Sequence, residues 1–280
     1  MNKLLVAGIA LGLIAATSSA AQASPQSDLK AFQSYFKKRF PTVPFDDYSN
    51  GVYALPVAKD MRAQWQQIMQ FPPYDFELDK GKRLWNTPFK NGKTYASCFK
   101  NGGRDIAQHY PYWDAKTKQV RTLVLDINEC RVRNGAKPYK NLLTGDMADL
   151  DAYMKYMARG KKISIDLSSP GAIKAYEAGR HFFWARRGQL NFSCATCHVD
   201  NAGKYLRGNI IGPALGHGVG FPAYRSAWGT LGTIDKRYIG CNKKVRAQPL
   251  KPESVQYRDL EFYETYMDTG LPLSAPSQRP

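Results

Sequence analysis

The pentapeptide Cys194–His198 (CATCH) has residue types and a spacing that could attach a cofactor. Two cysteines separated by two residues and followed directly by histidine are typical of a c-type haem site. The thiols of Cys194 and Cys197 would add to the porphyrin vinyl groups, and the His198 imidazole would be the proximal iron ligand. A zinc site would need a second ligand pair at finger-like spacing, which the sequence lacks. The motif predicts one covalent haem c, with a reducible dithiol as the alternative.

The second axial ligand is sought among the residues after this motif. Met267 is the only methionine there, but it repeats Met157 from a segment without a haem motif, so it is predicted to be a packing residue. His217 lies among glycines in a loop expected to be mobile, and is more simply a residue near the haem edge than a ligand. Cys241 remains, and a thiolate is a strong iron donor. Arg237, four residues earlier, offers a cation that stabilises a thiolate and a planar fork for oxyanions.

Other positions could support the haem. The Pro213 carbonyl is the expected acceptor for the proximal imidazole N–H, unless this segment is a plain turn. Lys204 and Arg207 are candidates to neutralise the haem propionates, or are simply exposed charges. His109 and His181 lie outside the motif and are predicted to be partly packed side chains.

The chain repeats part of its own pattern at a constant offset. Five residues of one predicted amphipathic helix recur 110 positions later in a second helix, and the first set is Leu150, Tyr153, Tyr156, Met157 and Gly160. Upstream, residues 81–85 resemble residues 179–184, and each segment precedes a cysteine motif. In the first unit, Tyr95 stands in place of the first haem cysteine and Phe99 in place of the histidine. The first unit therefore cannot attach a haem in the usual way.

The repeat also suggests how the five cysteines are used. Cys194 and Cys197 are taken by thioethers, and Cys130 stands opposite Cys241 at an offset of 111. Collapse of a lost haem pocket would bring Cys98 against Cys130, and an exported protein would oxidise such a pair. We therefore predict a Cys98–Cys130 disulfide. The competing assignment pairs Cys241 with one of these two and leaves the other free.

The N-terminus has the pattern of a secretory signal peptide. Lys3 provides a positive start, residues 4–16 form a short apolar run, and residues 21–23 (AQA) offer a small-residue cleavage site. We predict that residues 1–23 are removed and that the protein, starting at Ser24, is exported to a bacterial periplasm. A membrane anchor is the alternative, but the run is too short to span a bilayer. No other stretch of the sequence is long and apolar enough to do so.

Charge and periodicity narrow the class of protein. The formal net charge is +17 and the basic residues are scattered, which argues against a nucleic-acid-binding stripe. Attraction to a small anion or an acidic partner protein fits better, as does a merely solvated basic surface. The pattern predicts a mainly α-helical chain of two tandem cytochrome-c-like domains with long loops. Residues 24–163 would form the domain without haem, and residues 164–280 the haem-binding domain.

Together these residues resemble the SoxA family, the catalytic cytochrome subunits of the SoxAX complex of bacterial thiosulfate oxidation. The resemblance covers essentially all of the chain after residue 23, and rests on the haem motif, on residues 237–242 (RYIGCN) and on the repeated helices. It implies that His198 and Cys241 hold the iron, that the Cys241 sulfur can carry a persulfide, and that Arg237 binds the anionic substrate. Tyr95 and Phe99 place the chain among the single-haem members.

The same resemblance implies an activity and two partners. Members act as L-cysteine S-thiosulfotransferases, which join thiosulfate oxidatively to a cysteine of the SoxYZ carrier protein. Two electrons leave through the haem to the small cytochrome SoxX. The implied intermediate is a thiosulfate group on the Cys241 sulfur, which the carrier thiolate then attacks.

Two other functions compete with this interpretation. A periplasmic electron carrier would share the signal peptide, the haem and the basic surface, but would not need Arg237 beside a thiolate ligand. A thiol–disulfide oxidoreductase would use Cys194 and Cys197 without any haem.

Overall fold

The computed structural model describes residues 24–280, so the predicted signal peptide, residues 1–23, lies outside the described residues. Eight α-helices are the main regular elements of this part of the chain: α1 (Pro25–Arg39), α2 (Lys59–Ile68), α3 (Asp75–Asn86), α4 (Leu123–Arg133), α5 (Asp146–Tyr156), α6 (Pro170–Trp184), α7 (Ile234–Lys244) and α8 (Val255–Met267). Seven short strands lie between or after them: β1 (Tyr112–Asp114), β2 (Gln119–Arg121), β3 (Tyr205–Leu206), β4 (Asn209–Ile210), β5 (Ala223–Arg225), β6 (Thr230–Gly232) and β7 (Ser277–Arg279). The predicted mainly α-helical fold is confirmed.

Side chains at the helix starts fix where two of the helices begin. The Ser169 hydroxyl accepts a hydrogen bond from the Ala172 N–H at 3.2 Å, and Pro170 occupies the first helical position of α6. The Thr122 hydroxyl accepts from the Leu125 N–H at 3.2 Å at the start of α4. Such caps satisfy backbone donors that have no partner within the helix.

The helices pack as two crossed pairs, α3 on α5 and α6 on α8. Glycine is required at both crossings, because a Cβ on Gly81 would lie 2.1 Å from the Asp149 carbonyl oxygen and one on Gly179 would lie 1.9 Å from that of Asp259. The two carbonyls are 110 positions apart, which is the offset of the predicted repeat. The glycines that recur in the sequence therefore allow two backbones to approach closely in each pair.

The elements occur twice in the same order. The hairpin β1–β2 leads into α4 and then α5, and the hairpin β5–β6 leads into α7 and then α8. Both hairpins have equivalent registers, with Tyr112 opposite Arg121 and Ala223 opposite Gly232. This order supports the internal duplication, which remains a prediction, as do the limits of the two domains.

One hydrophobic core extends through both halves of the chain. Its buried side chains include Ile127 and Leu150 from the first half and Phe183 and Leu260 from the second. The N-terminal helix α1 packs on α8, and the Gln33 side chain donates to the Met267 carbonyl at 3.2 Å. Within residues 24–280, no helix is long and apolar enough to cross a membrane.

Candidate active site

The haem motif forms a tight helical turn that is closed by hydrogen bonds. The Ser193 hydroxyl accepts from the Thr196 N–H at 3.0 Å, and the Thr196 hydroxyl accepts from the Ser193 N–H at 3.2 Å. The backbone then continues as a π-helix over Thr196–Asp200. Cys194 and Cys197 are half-buried free thiols within this turn, and burial raises the pKa of both. The turn thus places two protonated thiols and an imidazole next to one another.

His198 is oriented by the segment that follows the β3–β4 hairpin. Its Nδ1 lies 2.9 Å from the Gly212 carbonyl oxygen, and its own carbonyl accepts from the Ala214 N–H at 2.8 Å. Burial, and next the Arg237 guanidinium, lower the pKa of His198 to about 4. The neutral ring therefore donates from Nδ1 and keeps the Nε2 lone pair available for a metal.

The prediction that the Pro213 carbonyl accepts the imidazole N–H is wrong. The acceptor is the carbonyl of the preceding residue, Gly212. The residue before a proline favours extended backbone, and successive carbonyls of an extended chain point to opposite sides. The Gly212 carbonyl and the Ala214 N–H therefore face His198 together, and the Pro213 carbonyl points away from them.

Helix α7 carries the residues expected to do the chemistry on one face. Arg237, Cys241 and Lys244 are spaced by four and three positions, and side chains at this spacing share a helix face. An adjacent face, about 100° around the helix, is anchored to α8, since the Tyr238 hydroxyl donates to Glu264. The side-chain amide of Asn242 donates to the Tyr257 hydroxyl at 3.0 Å. Two buried bonds thus hold the face that bears Cys241 toward the haem motif.

The electrostatics show that this helix face and the haem motif belong to one site. Besides burial, the Cys241 sulfur raises the pKa of Cys194 and Cys197. The Arg237 guanidinium acts on Cys197 and on His198. Among the described residues, Arg237 forms no ion pair with a carboxylate, so its donors are free for an incoming anion.

Sequence reasoning missed two further cations near Cys241. Arg225 of β5 donates from Nε to the Pro280 carbonyl oxygen at 2.6 Å, and burial, followed by Arg237, lowers its pKa to about 10. Burial and then Arg237 also lower the pKa of Lys244. The helical spacing from Arg237 would have identified Lys244, whereas nothing in the sequence places Arg225 beside α7.

His217 is held in place, and the expectation of a mobile loop is wrong. The N–H groups of Gly216 and Gly218 donate to the buried Asp268 carboxylate at 2.6 and 2.7 Å. The His217 Nδ1 lies 3.1 Å from Glu264, and the rings of His217 and His198 are 4.3 Å apart. The neighbouring glycines serve close packing, because a Cβ on Gly216 would lie 2.0 Å from the Tyr48 carbonyl oxygen.

The other residues singled out in the sequence lie in different surroundings. Met267 is buried in the hydrophobic core, where the repeat predicts it. His109 is exposed, and its Nδ1 lies 3.0 Å from the Ser164 carbonyl oxygen. His181, Lys204 and Arg207 are all exposed.

In the first half, Cys98 and Cys130 form a disulfide with an S–S distance of 2.06 Å. Cys194, Cys197 and Cys241 are left as free thiols, so the competing pairing of Cys241 does not occur. The Trp85 ring lies 5.7 Å from the rings of both Tyr95 and Phe99. The two residues that replace the first haem cysteine and the histidine are therefore packed on one tryptophan.

Comparisons with known proteins identify the family of this chain. The family model described as the SoxA/TsdA cytochrome c domain matches residues 80–163. The L-cysteine S-thiosulfotransferase subunit SoxA of Chlorobaculum tepidum is 49% identical over 258 residues, covering 92% of this chain and 89% of the relative. The subunit of the same name from Allochromatium vinosum is 46% identical over 260 residues, covering 92% and 91%.

A solved structure has the same fold. A chain in the crystal structure of SoxXA from P. pantotrophus matches with a TM-score of 0.71 and 26% identity, over 78% of this chain and 84% of that one. The identity and coverage of the curated relatives decide the family. This chain belongs to the SoxA family of L-cysteine S-thiosulfotransferase subunits, whose common domain is that of a c-type cytochrome.

Proposed function

We propose that this chain catalyses the oxidative joining of thiosulfate to a cysteine of a SoxYZ-type carrier protein. The observation that carries the proposal is the arrangement of Arg237 and Cys241 on one face of α7, directed at the haem motif. An unpaired guanidinium beside a free thiol is suited to binding a small sulfur dianion. An electron carrier needs neither group. The names of the curated relatives support the same activity.

The residues of the site fit one covalently bound haem c. Cys194 and Cys197 are free thiols for the two thioether bonds, and His198 presents an unprotonated Nε2 because its Nδ1 is bonded to the Gly212 carbonyl. Cys241 would be the second protein ligand of the iron. When bound, a c-type haem supplies a one-electron redox centre next to the Cys241 sulfur.

The side chains of this site would then act on thiosulfate directly. The planar guanidinium of Arg237 would bind two sulfonate oxygens and place the outer sulfur of thiosulfate against Cys241. Lys244 and Arg225 add positive potential, which raises the local concentration of a dianion. Burial of α7 against α8 keeps the helix rigid, so that the anion and the sulfur meet in a fixed geometry.

The sulfur chemistry balances as two steps. In the first, an S–S bond forms between the Cys241 thiolate and the outer sulfur of thiosulfate, and two electrons leave one at a time to two equivalents of an oxidised acceptor cytochrome. In the second, the carrier thiolate attacks that outer sulfur, the bond to Cys241 breaks, and the thiolate of Cys241 is restored. The product is a carrier cysteine bearing the thiosulfate group.

The acceptor cytochrome is proposed to be a small SoxX-type partner that forms a heterodimer with this chain. The name of the solved SoxXA complex supports this partner. The hairpin β3–β4, a few residues after the haem motif, exposes 64% of Tyr205 and 53% of Leu206, as expected of a docking surface near an electron-transfer centre. The predicted signal peptide supports a periplasmic location.

The proposal is tested with Cys241→Ala in the complex with its acceptor cytochrome. Conjugation of thiosulfate to the carrier, measured as a mass increase on the carrier cysteine, is expected to be abolished. The matched control is Lys243→Ala, an exposed position of the same helix, which should retain conjugation. If the wild type itself conjugates no thiosulfate, and Cys241→Ala keeps the haem spectrum and electron transfer, the electron-carrier function is favoured. Normal conjugation by Cys241→Ala would overturn the role given to Cys241. A pyridine haemochrome spectrum of the denatured protein that lacks a c-type signal would favour the oxidoreductase.

A further inference from the structure

A second cleft lies in the first half of the chain, outside the site described above. Its volume is about 620 Å³, within the range that holds small organic ligands. The turn after Cys98, the segment leading into β1, and helix α4 form its walls. Cys98, one partner of the disulfide, lines one wall. The candidate active site is built in the second half from the turn after Cys197 and from α7, the repeat counterparts of these elements.

Three aromatic side chains line the cleft. Phe99, Tyr110 and Tyr112 line it together with the aliphatic Ile106. The rings of Tyr110 and Tyr112 meet edge to face, with their centroids 5.1 Å apart. Half-exposed aromatic rings of this kind favour a flat, apolar ligand body, which gains both buried area and ring contacts.

The three carboxylates that line this cleft, Asp114, Asp126 and Glu129, already have donors. Asp126 accepts hydrogen bonds from Arg121 Nε at 2.8 Å and from the hydroxyls of Tyr110 and Tyr112 at 2.7 and 3.3 Å. Burial raises the pKa of Tyr112 to about 12 and also raises that of Tyr110, so both phenols stay protonated and keep donating. Glu129 pairs with Arg121. Asp114 accepts from the Thr117 hydroxyl at 2.6 Å and from the Lys116 N–H at 3.0 Å. The walls therefore offer little acceptor capacity to a cationic or amine ligand.

Some of the positively charged side chains that line the cleft have no carboxylate partner in the described part of the chain. Lys100 and Lys116 are exposed and line the cleft, and neither forms an ion pair with any carboxylate within residues 24–280. Arg133 has only a distant contact, with its Nε 3.8 Å from Glu129. An anionic group on a ligand whose rings enter the cleft would therefore meet two or three cations.

The repeat also argues that this cleft does not bind the inorganic dianion proposed for the second half. Asp126 stands 111 positions before Arg237, so the position that offers a guanidinium to an inorganic dianion in the second half holds a carboxylate here. The unpaired lysines are exposed, whereas the Phe99 and Tyr110 rings are half-buried. This arrangement separates the charge of a ligand from its apolar body.

We propose that this cleft binds a planar organic anion, an aromatic ring that carries a carboxylate or sulfonate group. The ring lies against Phe99, Tyr110 and Tyr112, and the anionic group faces Lys100 and Lys116. This site is independent of the proposed transferase function, because it contains neither Cys241 nor Arg237.

The test is a calorimetric titration of the holoprotein with 2-naphthalenesulfonate. Saturable binding of one equivalent is expected, with at least tenfold weaker binding to the double variant Lys100→Glu, Lys116→Glu. The matched control is Lys90→Glu, Lys93→Glu, since these two lysines are also exposed but lie outside the cleft. It should bind within about twofold of the wild type. The uncharged 2-naphthalenemethanol should bind at least tenfold more weakly than the sulfonate.

Further variants separate this cleft from the candidate active site. Tyr112→Leu, at a position 36% exposed, should weaken binding several-fold while the protein stays folded. Arg237→Gln should leave the affinity unchanged. The proposal is overturned if Arg237→Gln abolishes binding, if both lysine pairs have equal effects, or if no saturable binding is found.

Discussion

Arg237 and Cys241 are positioned relative to each other by a single helix. Residues four apart on a helix are neighbours on its surface, so no long-range packing is needed to bring the guanidinium beside the sulfur. What packing adds is the direction of the pair. The Tyr238 and Asn242 bonds to α8 turn the face of α7 that carries it toward the haem motif.

Replacement of Arg237 by lysine separates charge from geometry at this position. Lysine keeps the positive charge but has no planar fork for two oxygens. Loss of one charge-assisted hydrogen bond of about 1.5–3 kcal/mol corresponds to roughly a tenfold to hundredfold loss in kcat/KM for thiosulfate. The measurement is steady-state conjugation to the carrier at several thiosulfate concentrations. Lys243→Arg serves as control, and an Arg237→Lys enzyme with unchanged kcat/KM would show that charge alone suffices.

Lys244 allows a milder prediction at the same scale. It lies on the same face of α7 as Arg237 and is exposed. We therefore expect it to attract the dianion through its charge without forming a direct contact with it. Lys244→Gln should raise KM for thiosulfate about twofold to fivefold at low ionic strength, and the difference from wild type should shrink as salt is added, because salt screens exposed charges. A salt-independent defect would instead indicate direct contact with the substrate.

The site residues that could be predicted from the sequence are those that lie close to one another along the chain. The haem motif and the pair formed by Arg237 and Cys241 are readable because each lies within a turn or two of one element. Three other groups of the site could not be predicted: Arg225, Glu264 and the Gly212 carbonyl. Their positions depend on how β5, α8 and a loop pack around the haem motif. The repeat extended the range of prediction, since it pointed to Cys98 and Cys130 across 32 positions.

At the scale of elements, the crossing of α6 and α8 allows no side chain at Gly179. The Cβ of an alanine would lie 1.9 Å from the Asp259 carbonyl oxygen, so the two helices must separate. Gly179→Ala is expected to lower the free energy of unfolding by about 3 kcal/mol or more, since overpacking against backbone cannot be relieved by a rotamer change. Denaturant unfolding followed by circular dichroism measures this.

Gly240 of α7 provides the matched control for that substitution. A Cβ there would have no neighbour within 4 Å, and alanine has the higher helix propensity. Gly240→Ala should therefore raise the free energy of unfolding by about 0.5–1 kcal/mol. Opposite signs for the two glycine-to-alanine changes are expected. Equal effects would mean that the close approach at Gly179 does not limit stability.

The crossing of α3 and α5 holds an ionisable group whose burial makes stability depend on pH. Burial raises the pKa of Asp149 to about 6, although Lys80 lowers it and Glu77 and Asp146 raise it. The native state then binds more protons than the unfolded state between about pH 4 and 6, so this carboxyl makes stability fall as pH rises through that window.

Asp149→Asn removes this titration. The loss of stability between pH 4 and 7 should become smaller by on the order of 2 kcal/mol, as measured by denaturant unfolding at several pH values. Lys80→Met should shift the fall to higher pH, because Lys80 Nζ, 3.0 Å from the Asp149 carboxylate, favours its charged form. An unchanged pH profile in Asp149→Asn would contradict this assignment.

At the scale of the whole molecule, the two halves share one core although the haem is predicted for only one of them. The buried side chains of both halves belong to a single cluster, and the N-terminal helix α1 rests on α8 of the second half. The Ile163 N–H, at the predicted domain boundary, donates to the Leu271 carbonyl at 2.9 Å. The half for which no cofactor is predicted therefore still supports the half that carries the haem motif.

Removal of the disulfide tests this coupling. Cys98→Ala with Cys130→Ala opens a link between residues 32 positions apart, which is expected to lower the free energy of unfolding by on the order of 3–4 kcal/mol. Because the core is continuous, unfolding of the first half should expose the haem-binding half in the same transition. Thermal unfolding followed both by far-ultraviolet circular dichroism and by haem absorbance should therefore give coincident midpoints, both lower than in the wild type. A haem transition that stays at the wild-type temperature while the helical signal melts earlier would show that the halves unfold independently.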